Sequence, residues 1–366
     1  MAVGADVSRL RERKGKVMNV EKRSGISRRQ LLARSAGIGA VLAMPGLIGR
    51  AHAASGTVTF YTTMPNQYAD PITERFNATL GAERGITLES IYVSNVQQFQ
   101  KVQAENATGR VQHDLIMLAD ASMFLDLKAG NMLLDYVSPE IENYPAEYRD
   151  VDGIWCNART LLSIYNYNPT RVPDGAGRYK SWADFPGSEF EGRFGINDVL
   201  GGGVAVNNYI ATREHPDLGL AWWQEIARLR PQIQTSHGIL TQMVVSGETP
   251  VGMNLDYNAW EATREKSSPL VPVYPEDVVT VSITPLGIAR NAPNPEAAKV
   301  VYDWFLSQVG QEVLRDINGI YSPRADVAPL AGQPRFEDLA TYVPDLDHVQ
   351  AVRDEYREEF RNLFDL

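Results

Sequence analysis

Asp114-Leu115-Ile116-Met117-Leu118 is an almost unbroken apolar run that stops at a second aspartate, Asp120. A strand buried on both faces reads this way, because helices covering each side of a parallel sheet leave no face for alternating polar residues. Upstream, Thr57-Val58-Thr59-Phe60-Tyr61 mixes β-branched and aromatic residues and predicts a strand, followed by a polar turn from Thr62 to Gln67. Ile72, Phe76 and Leu80 recur at helical spacing, so a helix is expected from Tyr68 to about Leu80. Ile86 to Val93 predicts a second strand, and Val96 to Ala107 a helix with Val96, Phe99 and Val102 on one face. Strands alternating with helices over short turns argue for an open α/β sheet. Ligands of such sheets bind beyond the carboxyl ends of the strands, which singles out Tyr61, Thr62 and Thr63 after the first strand and Asp120 after the third.

Downstream, Leu161 to Tyr167 reads as a long strand ending at Asn168-Pro169, and new α/β material begins at Trp182-Ala183-Asp184-Phe185. Phe194-Gly195-Ile196-Asn197-Asp198 runs directly into Gly201-Gly202-Gly203 and a helix through Val204, Asn208 and Ile210. Glycines at a helix start can gather N–H groups at the positive end of the helix dipole, an anion cradle; the same three residues also read as a flexible turn. Ile239 to Val245 predicts a helix closed by Ser246-Gly247, and Val251 to Leu255 a strand with Asp256-Tyr257-Asn258-Ala259-Trp260 at its carboxyl end. Val278 to Ile288 supplies strand material that can return to the first region. Asn294 and Pro295 mark the start of an amphipathic helix to Leu306, since proline at the first helical position loses no hydrogen bond. Val349 to Phe364 is a charged helix expected to dock on one region.

The amino-terminal segment carries a different kind of information. Ser27-Arg28-Arg29-Gln30-Leu31-Leu32, a Gly/Ala-rich apolar run from Ala36 to Gly49, and Ala51-His52-Ala53 follow the layout of a twin-arginine export signal, with cleavage expected after residue 53 and Met18 as an alternative start. The run is interrupted by Pro45 and falls short of the roughly 20 residues that span a bilayer. Of the chain's 35 Lys/Arg and 45 Asp/Glu, residues 1–53 hold eleven and three, which leaves 24 and 42 and a net charge near −18. Such a surface repels nucleic acid and anionic lipid. The single cysteine, Cys156, excludes an internal disulfide, so an exported protein must rely on a packed core. No G-x-S-x-G elbow, H-E-x-x-H motif or histidine cluster is present, which argues against a hydrolase.

The mature chain from about Thr57 to Val327 resembles the periplasmic solute-binding proteins of ABC importers, most closely the iron-type subgroup of extracellular solute-binding family 1 that contains the ferric-ion-binding proteins. The resemblance rests on Val58-Thr59-Phe60-Tyr61, Asp114-Leu115-Ile116-Met117, Trp182-Ala183-Asp184-Phe185 and Glu191-Gly192-Arg193-Phe194-Gly195. Its most specific part is Gly287-Ile288-Ala289-Arg290-Asn291-Ala292-Pro293-Asn294-Pro295-Glu296-Ala297-Ala298-Lys299, with Phe305-Leu306-Ser307 and Gly310-Gln311-Glu312 after it. It implies an α/β, two-lobed, type II periplasmic-binding-protein fold with hinge crossover strands. The expected division is residues 54–160 with 278–324 as one lobe, 161–277 as the other, and a helical tail, 325–366, on a lobe. It also implies a monomer in the periplasm that closes on a small solute, presents it to an inner-membrane ABC permease, and carries out no catalysis.

Carried over residue by residue, the ferric motif places Asp256 and Tyr257 where the family has two tyrosines, so half of the phenolate pair is kept. The family's first-loop histidine is absent near Met64-Pro65, and Asp120 stands beside its glutamate position. The anion-binding turn falls on Gly201, Gly202 and Gly203, and a supporting polar residue falls on His237. Asn254, Tyr257 and Tyr61 are candidates for neutral hydrogen bonds or an aromatic wall. The expected ligand is an organic anion, a phosphonate or phosphate ester, with Asp120 or Asp256 pairing to an amine if it has one, and with no cofactor. The alternative is ferric iron held by Asp256, Tyr257 and a synergistic anion; a polyamine or thiamine-like solute ranks lower.

Overall fold

The computed structural model of the protein describes residues 55–185, 187–264 and 268–366, and the export segment lies outside them. Its strands in chain order are β1 (Gly56–Thr62), β2 (Ile86–Tyr92), β3 (Leu115–Met117), β4 (Trp155–Tyr167), β5 (Phe194–Asn197), β6 (Gln232–Gln234), β7 (Val251–Leu255), β8 (Val271–Val273), β9 (Val279–Ile288) and β10 (Thr341–Tyr342). The helices are α1 (Asn66–Phe76), α2 (Ala82–Arg84), α3 (Asn95–Thr108), α4 (Ser122–Ala129), α5 (Gly175–Arg178), α6 (Gly203–Glu214), α7 (Gly219–Arg228), α8 (His237–Ser246), α9 (Asp256–Arg264), α10 (Pro295–Leu306), α11 (Gln308–Asn318) and α12 (Leu346–Phe364). Among the described residues no helix is long and apolar enough to cross a membrane.

The strands join in the order β2-β1-β3-β9-β4-β7-β5-β6, with β10 beside β9 and β8 beside β4. The order repeats a pattern. On one side β2, β1 and β3 run parallel and meet β9 antiparallel; on the other β6, β5 and β7 run parallel and meet β4 antiparallel. The two antiparallel strands pair with each other from Trp155↔Gly287 to Ser163↔Thr280, so they form one ribbon between two α/β halves. Every residue of β4 and of β9 is buried, which is why neither shows alternation. The break expected near residue 160 falls inside β4, because that strand runs through both halves without a turn.

Each half has its own core. The first gathers Val58, Phe60, Leu115, Ile116 and the buried face of α10 (Val301, Tyr302, Phe305), while the second centres on Tyr165, Trp182, Phe194, Tyr209 and Trp223. Pro295 starts α10 as expected, and the flanking Asn294 sends its amide not to a cap but to the Thr57 carbonyl, 2.8 Å away. The final helix α12 begins three residues earlier than its periodicity suggests, because Asp345 caps it by accepting from His348 N at 2.8 Å. It buries Val349 and Phe360 in the second core while its polar side also touches α4 of the first half.

Candidate functional site

The carboxyl ends of the parallel strands in both halves point at one cavity of about 430 Å³. Thr63 follows β1, Ala119 follows β3, Asn197 closes β5, His237 follows β6, and Tyr257 and Asn258 follow β7. The mid-strand residue Arg159 of β4 enters between them. Five side chains lining this space hold buried polar atoms without a hydrogen-bond partner: Thr63 Oγ1, Arg159 Nη2, Asn197 Nδ2, His237 Nδ1 and Asn258 Oδ1. Leaving such a group unpaired costs about 1–3 kcal/mol each, so their convergence makes this space the candidate ligand site. Three larger depressions elsewhere, of about 870, 630 and 880 Å³, carry one such atom (Trp155 Nε1), none and none.

Arg159 is the strongest of these groups and was not among the sequence candidates. It is 2% exposed in the middle of β4, where its Nε donates to Asn318 Oδ1 at 2.7 Å and its guanidinium lies 4.8 Å from the centre of the Tyr257 ring. The β4–β9 register slips between Asn157 and Arg159, and a bulge of this kind redirects one side chain out of the regular alternation. One nitrogen of a buried cation therefore remains free at the cavity. The sequence did hold a signal: a lone arginine two residues before Leu161, where a run that reads as a buried strand begins.

The glycine turn is placed along the cavity, with Asp198 Oδ1 accepting from Leu200 N at 2.8 Å to close it. No side chain caps α6 behind it, whereas α8 is capped by Ser236, whose Oγ accepts from Ile239 N. The uncapped first turn of α6 therefore keeps its N–H groups for an external acceptor. The three glycines are not equivalent. A β-carbon on Gly202 would meet nothing within 4 Å, but one on Gly203 would come within 2.6 Å of the Asp120 Cα. Gly203 is thus required by close approach of the two halves rather than by backbone conformation.

The histidine at this site is neutral. Although His237 as a residue keeps partial exposure, its Nδ1 is enclosed, and burial pushes the imidazole down to about 4 against an opposing hydrogen bond from Asn254. It can still donate one N–H to an anion as a neutral ring.

Several expected contacts lie elsewhere. Tyr61 is a core residue: its ring stacks on His113 at 4.8 Å and its hydroxyl donates to Glu105 Oε1 at 3.0 Å. Thr62 is fully buried, and its Oγ1 accepts from Met64 N at 3.0 Å, shaping the turn that exposes Thr63. Asn254 is buried one layer behind the cavity, donating to Thr241 Oγ1 at 2.6 Å. Asp256 is also behind it, because α9 starts at Asp256 itself and its Oδ1 accepts from Leu162 N at 3.0 Å. Burial raises its carboxyl to about 7 despite the nearby Arg159. Asp120 is 3% exposed and turned away, accepting from Ser122 Oγ at 2.6 Å with Arg357 Nη2 at 3.5 Å from its Oδ2. Neither aspartate lines the cavity, whereas Tyr257 does, and the Oδ2 of each aspartate is buried without a hydrogen-bond partner. Tyr68, Asn197 and Asn258 line the cavity and were not singled out as ligand contacts.

Residues 112–342 match the family of bacterial extracellular solute-binding proteins, and the chain belongs to it. The α/β architecture with two lobes is that of the type II periplasmic binding proteins. Among solved structures the chain is similar to iron-bound HitA from Pseudomonas aeruginosa, at 16% identity over 83% of this chain and 98% of that one, with a TM-score of 0.71. It is similar to the periplasmic binding protein AfuA from Actinobacillus pleuropneumoniae with exogenous fructose-6-phosphate bound, at 17% identity over 85% and 100%, TM-score 0.73. A third is the periplasmic binding protein P5PA, at 19% identity over 85% and 98%, TM-score 0.65. No curated protein sequence matches the chain. The protein is a substrate-binding component of an ABC transporter, a class that partners with a membrane permease.

Proposed function

We propose that this protein, exported by the twin-arginine route, captures a small organic anion in the periplasm, a phosphate ester or a phosphonate, and hands it to its permease as a closed monomer. The observation that carries the reading is the convergence of Arg159 Nη2 and three neutral donor side chains, Thr63, Asn197 and His237, on the cavity beside the uncapped start of α6. A cation and several N–H and O–H groups around one point match the oxygens of a tetrahedral anion. A cavity of about 430 Å³ leaves room for an organic body beyond the anionic head, against the rings of Tyr68 and Tyr257, which meet edge to face at 5.6 Å. Asn258 Oδ1 adds an acceptor suited to a hydroxyl of that body. The placement of Asp120 and Asp256 supports a ligand without an obligatory ammonium group.

The chemistry of the donors favours this reading over ferric iron. Tyr257 is one phenol, and Tyr68, the other at the cavity, has its hydroxyl held well above its ordinary pKa by burial and by its hydrogen bond to Glu261, which disfavours the phenolate that a hard cation wants. Among the described residues no group of three His, Cys, Asp or Glu side chains is placed to hold a metal. The test is a thermal-shift screen of the mature protein against phosphate esters, phosphonates, carboxylates, polyamines and Fe(III) with citrate, followed by calorimetric titration of the hits. A rise in melting temperature with phosphate esters or phosphonates is expected, as linkage requires. A coloured complex with Fe(III) and a phenolate charge-transfer band, without any shift by organic anions, overturns the reading.

A further inference from the structure

The carboxyl-terminal helix joins the two halves with a different balance of contacts on each side. Toward the second half they are apolar and aromatic. Phe360 lies 5.5 Å from Tyr209 and 6.3 Å from Trp223 between ring centres, Phe364 packs on the same Trp223, and Val349 is 1% exposed. Arg213 adds an ion pair to Glu359 at 2.8 Å, and Tyr356 donates to Glu214 at 2.9 Å. These anchor α12 permanently, because removing it would expose part of a core.

Along α4 of the first half the same helix adds side-chain hydrogen bonds and ion pairs to a single apolar contact, Leu346 against the first core. Gln350 Nε2 donates to Asp126 Oδ1 at 2.7 Å, Arg353 donates to Ser122 Oγ and lies 3.7 Å from Asp126, and Arg357 approaches Asp120. Their target is the point where the halves meet. Asp120 is the residue whose Cα excludes a β-carbon from Gly203, and Asn95 Oδ1 holds its loop by accepting from Ala119 N at 2.9 Å and Asp120 N at 3.2 Å. The two arginines are about four-fifths buried, where an ion pair is screened less than on an open surface.

We propose that α12 is a strap: rooted in the second core, it grips α4 through Gln350, Arg353 and Arg357 and so sets the free energy of cleft closure. Arg353 and Arg357 are positioning residues that never touch cargo. Since apparent affinity scales with the population of the binding-competent state, they tune uptake from outside the cavity. The proposal depends on closure between the two halves, not on the identity of the ligand.

The test needs no ligand. Spin labels at Glu83→Cys and Glu225→Cys, both exposed and one on each half, report the distance distribution of the mature protein by pulsed electron resonance, while Cys156 is buried and unreactive. With R353A/R357A the mean distance is expected to lengthen by more than the width of the parent distribution. R361A, whose side chain pairs with Glu358 of its own helix, leaves the distribution unchanged. Should the double variant fold poorly by near-ultraviolet circular dichroism, D126N removes an acceptor from the α4 side without touching α12 and is expected to shift the distance in the same direction. Superimposable distributions for parent and variants, or an equal shift with R361A, overturn the strap.

Discussion

The two halves present matching strand ends to the cavity and treat their polar groups in opposite ways. In the first half the loop after β3 is largely closed internally: Asn95 takes the two free N–H groups, Ser122 donates to Asp120 Oδ1, and Arg357 lies 3.5 Å from Asp120 Oδ2. In the second half Asn197, His237 and Asn258 are left with open valences, and α6 begins without a cap. Thr63 supplies the first half's open group at the cavity, with Asp120 Oδ2 unpartnered behind it, and Arg159 belongs to the ribbon between them. Under the proposed function the second half would hold the cargo and the first half would cover it. Asymmetry of this kind lets an open form collect a ligand on one face, with closure adding the remaining contacts that make the closed form the better binder.

The comparison breaks most directly at Arg159. Replacing it with Gln keeps the bulk but removes the charge, and binding of the best organic anion is expected to weaken about 10- to 100-fold by calorimetry, the worth of one charge-assisted hydrogen bond; unchanged affinity would remove the ribbon from the site. Next comes Gly203→Ala, which forces a β-carbon against Asp120. It is expected to hold the halves apart and cost affinity, whereas Gly202→Ala, facing open space, leaves stability unaltered. Equal behaviour of the two would sink the close-approach argument.

Acid titration sharpens the comparison further. His237 is held at about 4, below its ordinary 6.5, so the folded state binds fewer protons; its contribution is present above 6.5 and lost as pH falls toward 4. Asp256 is raised to about 7 from 3.8, so its contribution is present at low pH and lost as pH rises through 7. Between these limits the slopes oppose. His237→Asn is expected to make denaturant stability fall with rising pH across that window, and Asp256→Asn to make it rise, each by at most about 1.4 kcal/mol per pH unit. Parallel profiles for the two variants would refute the opposition. The smallest effects test the finished loop and the capped helix: Asn95→Ala and Ser236→Ala are each expected to cost about 1 kcal/mol of stability, with little change in affinity for the second.

How much of this was legible follows from what each residue depends on. The apolar run at Asp114–Leu118, the helix beginning at Pro295 and the turn at Gly201–Gly203 are local, and the structure has strand, helix and turn there. The first part of β4 was not legible, since Cys156-Asn157-Ala158-Arg159-Thr160 looks polar and irregular although every residue is buried. What makes its arginine tolerable, Asn318 and Tyr257, lies far along the chain. The same distance explains the misplaced aspartates: Asp120 and Asp256 sit at strand ends as expected, but Arg357 and Leu162 N engage them first.

The bulge in β4 has a mechanical corollary. The register of this ribbon slips at Asn157 and Arg159, and the Asn157 side chain closes the gap, its Oδ1 accepting from Thr284 N at 2.8 Å and Arg159 N at 3.2 Å. The guanidinium proposed to meet the cargo and the amide that pins the bulge are thus two residues apart, so a substitution at Asn157 would also displace Arg159.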